Sequence, residues 1–502
     1  MIKIHFIFWI SIIITLPVFS QPDAIWTKTF GTEYSDGART FCIDDDGGFV
    51  IAGYTYSNSE KNSDIYIIKT DANGNEIWAK SIGNESWEYA NSICKAINSG
   101  FVIVGYKLES ITNIFDIYIV KIDNNGNILW EKTYGGIGTD IGQSICQTND
   151  NGYLICGNTT SYGAGEDDIY LIKINEVGDS IWTKTIGCNK SDMGYKAIST
   201  KDDHYLIVGS TGLYDSPGVS SGHNREIYLV KTDLTGNVVQ FKTYWIIGRG
   251  QVDYDSGYDV CETSDNCYYI TGASSKEATE VMDISILKVD NELTQLWKKR
   301  KEIGSFYDYG YSVSEVTEDN GIIICGSFNS ADTGLTDAFI LRLNSAGDEI
   351  WCSEFGEDKS ESFYSIKYIG EGNFIAAGYT NSYGAGSNDF WLAKFNDHVT
   401  SVKQHENIFP ESPTLNQNYP NPFNPQTMIS YQLPHNQNVR ITIYNGLGQK
   451  IRELVNANQQ RGEHCIVWDG KNDFNKNMAS GVYFYRLITT SSIITKKMIM
   501  IR

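Results

Sequence analysis

Carboxylates that recur at fixed intervals can gather a cation, act in pairs on a glycosidic bond, or hold backbone amides in turns. Two such sets run through this chain. Asp36, Glu88, Asp140, Asp192, Asp255, Asp308 and Glu361 each precede a short strand pattern, and Asp64, Asp116, Asp168, Glu226, Asp283, Asp337 and Asp389 each open another. If the repeats stack, both sets emerge on one face. Recurrence in every repeat favours a structural role, because a binding site seldom needs seven equal copies. The alternatives are an anionic ring that attracts a cation such as calcium, and a hydrolase using carboxylates near an axis.

Other candidates are sparser. Asp71-Ala-Asn-Gly-Asn75 and Asp123-Asn-Asn-Gly-Asn127 resemble calcium loops in composition. They lack the closing Glu of an EF-hand and lie between two strand patterns, where Gly serves a hairpin turn, so no metal is assigned. Six Trp (Trp26, Trp78, Trp130, Trp182, Trp297 and Trp351) hold one repeat position and read as packing aromatics rather than a sugar platform. In the fourth repeat two connections are enlarged. They bring Tyr214, His223, Arg225, Trp245, Arg249 and Asp253 toward one face as a candidate ligand site, against the plainer reading of a tolerated insertion. With seven His in all and no His-Glu-x-x-His, Gly-x-Ser-x-Gly or phosphate-loop motif, no catalytic set is assigned.

The elements that must position these groups are repeats. Residues 64–78 return at 116–130 and 168–182, and with substitutions at 226–241, 283–297 and 337–351; a seventh copy at 389–396 breaks off before its Trp. The missing piece stands at the other end, where Ile25-Trp-Thr-Lys-Thr-Phe-Gly31 has no partner. Each unit of 52 to 59 residues reads as four strands. Seven units predict an all-β chain with a seven-bladed β-propeller over residues 21–400, closed by pairing the Trp26 segment with the seventh unit. The chain's 32 Tyr, 11 Trp and 47 Gly against 20% charged residues suit short strands and tight turns.

Residues 1–20 have a lysine, an apolar run and a small residue before Gln21, the pattern of a signal peptide. No later run is long and apolar enough for a membrane helix, so the mature chain is expected to lack a transmembrane segment. Residues 21–406 carry a formal charge of −27 and residues 407–502 one of +5. The acidic region repels phosphate backbones, so nucleic acid is a poor partner. The ten Cys follow the repeat and read as small buried hydrophobes, with a hairpin disulfide between Cys261 and Cys267 left open.

The pattern Asp-x-aromatic, Asp-x-x-Gly-Asn, Trp over residues 25–397 resembles secreted bacterial β-propeller repeats. Six of nine prolines fall between Pro410 and Pro434 and mark a linker, 401–414, before a small Ig-like β-sandwich, 415–502. There, Asn418-Tyr-Pro-Asn-Pro-Phe-Asn-Pro425, Ile443-Tyr-Asn-Gly-Leu-Gly448, Trp468-Asp-Gly470 and the run 479–486 are similar to the type A C-terminal sorting domain of type IX secretion cargo. That resemblance implies handling by the type IX machinery and an extracellular or outer-membrane surface location. The expected role is a binding or interaction module for glycans or surface proteins. The alternatives are the secreted carbohydrate-active hydrolase and a purely structural surface-layer component.

Overall fold

The computed structural model describes residues 22–57, 62–84, 86–109, 112–212, 225–246, 254–275, 281–330, 334–397, 413–418, 421–459, 462–490 and 492–501. The proposed signal peptide lies outside them. Contacts divide the chain into Met1–Ser401 and Val402–Arg502.

The first unit is a seven-bladed β-propeller of four-stranded antiparallel sheets. Six blades use consecutive strands, such as Asp36–Ile43, Phe49–Ser57, Asn62–Thr70 and Glu76–Ile82 in the first. The seventh combines Glu361–Gly370, Asn373–Thr380 and Asp389–Asn396 with Asp23–Phe30 from the start of the propeller. Trp26 pairs with Lys394, the register in which Trp78 pairs with Lys69. The expected closure is present.

Middle strands are apolar on both faces because each sheet is covered on both sides by its neighbours. Val50, Ile51, Ala52, Ile65, Ile67 and Ile68 are all essentially inaccessible. The core is a set of blade-to-blade seams. The seam that shuts the ring joins Phe41, Phe49, Ile51 and Ile68 of the first blade to Ile375, Ala377, Phe390 and Leu392 of the seventh. At about 1.5–3 kcal/mol for each large side chain buried, such seams are the main stabilising term.

The recurrent Trp fixes the spacing between blades. Five of the six rings cover the hairpin turn of the next blade: Trp26 lies over Gly74, Trp78 over Gly126, Trp130 over Gly178, Trp182 over Gly236 and Trp297 over Gly347. A side chain at Gly126 would lie 3.0 Å from the Trp78 ring, and the turn also holds φ at 76°, so glycine is required twice over. The indoles of Trp78 and Trp130 donate to the Asn124 and Glu176 carbonyls of those turns at 3.1 and 3.2 Å. Lysines two residues on, such as Lys132 to Asp179 at 2.9 Å, add exposed ion pairs of little weight. Where Phe241 replaces Trp in the fourth blade, Leu293 replaces the turn glycine in the fifth. Covariation of ring and turn follows from the contact.

The second unit is a β-sandwich. One sheet orders Thr414–Leu415, Thr427–Leu433 and Gly462–Trp468; the other orders Lys450–Gln459, Gln437–Asn445, Gly481–Ile488 and Ile493–Met500. The strand Lys450–Gln459 was not expected from sequence. It is an edge strand without a clean apolar face. Phe423 of the Pro-rich motif packs 5.6 Å from the buried Trp468, and Asn418 Nδ2 donates to Thr427 Oγ1 at 2.9 Å while its Oδ1 accepts from Gln417 Nε2 at 2.8 Å. Tyr485 Oη binds the Asn416 carbonyl at 2.7 Å and receives the Asn418 amide at 2.8 Å. The motifs therefore build the sandwich's own interior.

Trp130→Ala should lower propeller stability by about 2–4 kcal/mol in urea unfolding, the range for removing a large aromatic from a packed site. Lys132→Ala should leave the midpoint unchanged; equal losses from the two would contradict the assignment of spacing to the indole.

Candidate functional site

The seven acids that open the inner strands are buried, each 0–2% exposed. They form no exposed anionic ring. Each reaches back across the junction from the preceding blade: Asp36 Oδ2 accepts the Thr32 amide at 2.5 Å, Asp140 the Gly136 amide at 2.8 Å, Asp192 the Cys188 amide at 2.6 Å and Asp308 the Ile303 amide at 2.7 Å. The second set closes the same junctions from the other side. A Cβ at Gly135 or Gly187 would overlap Oδ1 of Asp116 or Asp168 and crowd Asp140 or Asp192 at 2.9 Å. Two carboxylates thus bracket each glycine crossing at these junctions.

Several of these carboxyls hold their protons more tightly than usual. Burial pushes Asp36, Asp64, Asp116, Asp308, Asp337 and Asp389 above the usual carboxylate range. In Asp116 and Asp337 the facing carboxylate, Asp140 or Glu361, adds to it. Glu88 is raised to about 7 by burial, with Lys107 opposing and Asp64 reinforcing the shift.

The hairpin acids are spent locally. Asp71 Oδ1 accepts the amides of Asn73 and Asn75 at 2.8 and 2.9 Å, and Asp123 does the same for Asn125 and Asn127. Among the described residues no three His, Cys, Asp or Glu converge as metal ligands. The disulfide left open between Cys261 and Cys267 is not formed, and both thiols are free. The hairpin register sets Cys261 opposite Tyr269 and places Cys267 at the turn, where its carbonyl accepts the amide of Thr263, two residues beyond Cys261, at 2.8 Å.

Of the fourth-repeat candidates, Tyr214, His223, Arg249 and Asp253 lie outside the described residues. Arg225 Nη2 donates to Ser191 Oγ at 3.3 Å. Trp245 has different neighbours: Lys298 of the fifth blade's outer strand binds its carbonyl at 2.6 Å and lies 5.4 Å from its ring centre.

A different constellation sits at the start of the inner strands. In all seven blades the register slips between the residues two and four after the recurrent acid, leaving the third as the extra residue of a β-bulge. These residues are Arg39, Asn91, Gln143, Tyr195, Tyr258, Tyr311 and Tyr364. A bulge re-aims its side chain, and seven bulges turn their side chains toward one another around the axis. Ring centres of Tyr195 and Tyr258 are 5.1 Å apart, of Tyr258 and Tyr311 6.1 Å, and of Tyr311 and Tyr364 4.8 Å. The Arg39 guanidinium closes the row, 4.4 Å from the Tyr364 ring and 5.8 Å from Tyr54. Tyr89 and Tyr106, stacked at 5.0 Å, and Tyr309 and Tyr379 extend the aromatic surface.

Arg39 has no carboxylate or hydrogen-bond partner among the described residues, while rings cover its plane. Its N–H fork is left for a ligand, the arrangement that suits planar acidic groups. Burial pushes the phenols of Tyr258 and Tyr311 up, so they stay protonated and can donate. Sequence reading missed this collar. The signal was present as Tyr three residues after the acid in four consecutive repeats, with Arg at that place in the first.

Residues 417–501 match the secretion system C-terminal sorting domain family. That domain marks the chain for type IX export, to attachment at the outer-membrane surface or to release. Comparison with curated protein sequences gave no match. Solved structures similar to the chain include a protein of unknown function from Dyadobacter fermentans, at 11% identity over 75% of this chain and 99% of that one, with a TM-score of 0.46. PorZ, a bacterial surface component of the type IX secretion system of Porphyromonas gingivalis, is 12% identical over 94% of this chain and 60% of its own, with a TM-score of 0.44. The α-L-arabinofuranosidase Arb93A of Fusarium graminearum is 10% identical over 65% of this chain and 98% of that one, with a TM-score of 0.43.

The raised carboxyls fix the direction of pH dependence. A carboxyl held above its unfolded value binds extra protons in the native state, so stability falls as pH rises through the folded value. For Glu88 the window runs from about 4.5 to about 7. Urea midpoints should fall between pH 5 and 8, and Glu88→Gln should gain about 1–3 kcal/mol on the wild type at pH 8 and nothing near pH 5. A midpoint that climbs through this range would contradict the buried-pair assignment.

Proposed function

We propose that this exported propeller is a binding or interaction module at the cell surface or in the medium, and that its ligand docks on the tyrosine collar around Arg39. The observation that carries the reading is the guanidinium itself: a cation stacked on Tyr364, flanked by Tyr54, with its donors unspent. Tyrosine faces suit the C–H faces of sugar rings and the apolar side chains of a protein segment, and the fork adds a preference for an acidic group. Seven bulges of the scaffold hold the collar, so little ordering is needed on binding.

This reading gives the fourteen recurrent acids no catalytic role, because they hold backbone amides and pack against glycines at the junctions. Glycoside hydrolysis by two carboxyls needs both to face the scissile bond. The residues outside the collar that were expected to bind, Arg225 and Trp245, serve as flanking contacts in this account.

Two measurements test it. On a glycan array and in a pull-down of outer-membrane surface proteins, the mature full-length chain should bind without releasing reducing sugar, and Arg39→Met should weaken binding at least tenfold with an unchanged melting temperature. Release of reducing sugar would favour the hydrolase, and unaltered binding by Arg39→Met would move the site elsewhere. Deletion of residues 415–502 should leave the propeller in the periplasm; its appearance outside the cell would sever export from the sorting domain.

A further inference from the structure

Beyond the collar, the second halves of the inner strands wall a chamber of about 500 Å³. Its charged lining is three lysines, Lys95, Lys196 and Lys367, and one carboxylate, Asp259. That carboxylate is fully engaged. Asp259 Oδ2 accepts from Ser312 Oγ at 2.8 Å and the Val313 amide at 3.0 Å, and Oδ1 faces Lys196 Nζ at 3.4 Å. Lys95 pairs with Asp45. The acids nearby on the inner strands are also taken: Glu262 holds the Lys201 amide at 3.0 Å and Glu315 the Ser264 amide at 2.7 Å.

Lys367 is left over. It stands where other blades carry Cys42, Cys94, Cys146, Ile198, Cys261 and Ser314, so it breaks the repeat at one place only. Its ammonium lies 5.6 Å from the centre of the Phe41 ring and has neither a carboxylate nor a hydrogen-bond partner among the described residues. Half-buried on the chamber wall, this ammonium has no counter-ion from the protein's described residues.

The rest of the wall is also rich in donors. Ser314 Oγ accepts the Tyr368 amide at 3.1 Å and Ser92 Oγ accepts the Ile145 amide at 3.3 Å, each serving as a clasp to the next blade. With a lone pair used in this way, each hydroxyl keeps its O–H to give. Burial pushes the thiols of Cys42 and Cys146 up to about 12 and about 11, so they contribute no negative charge. The wall thus offers one unpaired cation and several hydroxyl donors inside a propeller whose overall charge is strongly negative.

We infer that the chamber binds a small oxyanion, a carboxylate or a phosphate, with Lys367 as counter-ion and Ser314 and Ser92 as hydroxyl donors, independently of the ligand at the collar. Burial pulls the Lys367 ammonium below its ordinary value, the direction expected of a cation whose partner is the ligand.

The test uses the full-length mature chain in chloride buffer at constant ionic strength, titrated calorimetrically with inorganic phosphate, acetate and citrate. A saturable site that persists in Arg39→Met is expected for phosphate or for a carboxylate, and the arm that saturates identifies the anion class. Lys367→Met should bind at least tenfold more weakly, Ser314→Ala several-fold more weakly, and Lys367→Arg and Arg39→Met within about threefold of the wild type. Lys367→Met should also melt no lower than the wild type, since it removes a half-buried charge that the protein leaves unpaired; should it fail to fold, Ser314→Ala and Lys367→Arg carry the comparison. Absence of saturable heat with all three anions, or titration of folded Lys367→Met or Ser314→Ala like the wild type, overturns the site.

Discussion

A ring of stacked sheets has no free apolar face only if its last sheet meets its first. Here that condition is met by one strand, Asp23–Phe30, completing a blade whose other strands lie more than 330 residues later. Without that strand the seventh blade would end at Asp389–Asn396, an open edge of buried residues. Every junction, and therefore the position of every axial side chain, depends on the circle being complete. The seam of Phe41, Phe49, Phe390 and Leu392 supplies the packing, and the Trp26 ring over Gly74 repeats there the contact that spaces the other blades.

Within the circle, what repeats and what departs divide the labour. The acids, the crossing glycines, the Trp–turn contacts and the bulges recur because each blade must meet the next in the same way. At the crossings backbone amides supply hydrogen bonds to the buried carboxylates, and burial raises several of them above the usual carboxylate range. The bulge adds a position whose side chain the scaffold does not need. That position varies: Arg, Asn and Gln in three blades, Tyr in four. The chamber shows the same logic, with a lysine in one blade where a thiol, a hydroxyl or an isoleucine stands in the others. Chemistry is placed on the axis by breaking a symmetry that the packing otherwise enforces.

Much of this was legible in the sequence, for physical reasons. A strand pair that must bury both faces leaves apolar runs, a tight turn under an indole leaves Gly, and an incomplete seventh unit with an orphan Trp strand at the other end leaves few ways to close. The bulge was not legible, because an extra residue in one strand is visible only against its partner's register. Without it, Tyr195, Tyr258, Tyr311 and Tyr364 read as ordinary strand aromatics, and attention went to the enlarged loops around Arg225 and Trp245. Six of the seven inner strands also begin at their acid, earlier than the apolar pattern suggested, since the carboxylate itself anchors the first residue. In the sandwich, Lys450–Gln459 escaped notice because an edge strand carries no clean alternation. Spacing alone likewise left the Cys261–Cys267 pairing open, which the hairpin register decides.

Hydrogen exchange of the backbone amides tests the closed circle most directly. Amides of Thr27 to Phe30 that pair with residues 390–393 should exchange as slowly as those of the Asp389–Asn396 strand itself, and the two should lose protection together as denaturant is added. Exchange of the first strand at the rate of an unstructured terminus, while the seven sheets stay protected, would contradict closure and with it the placement of the collar and the chamber.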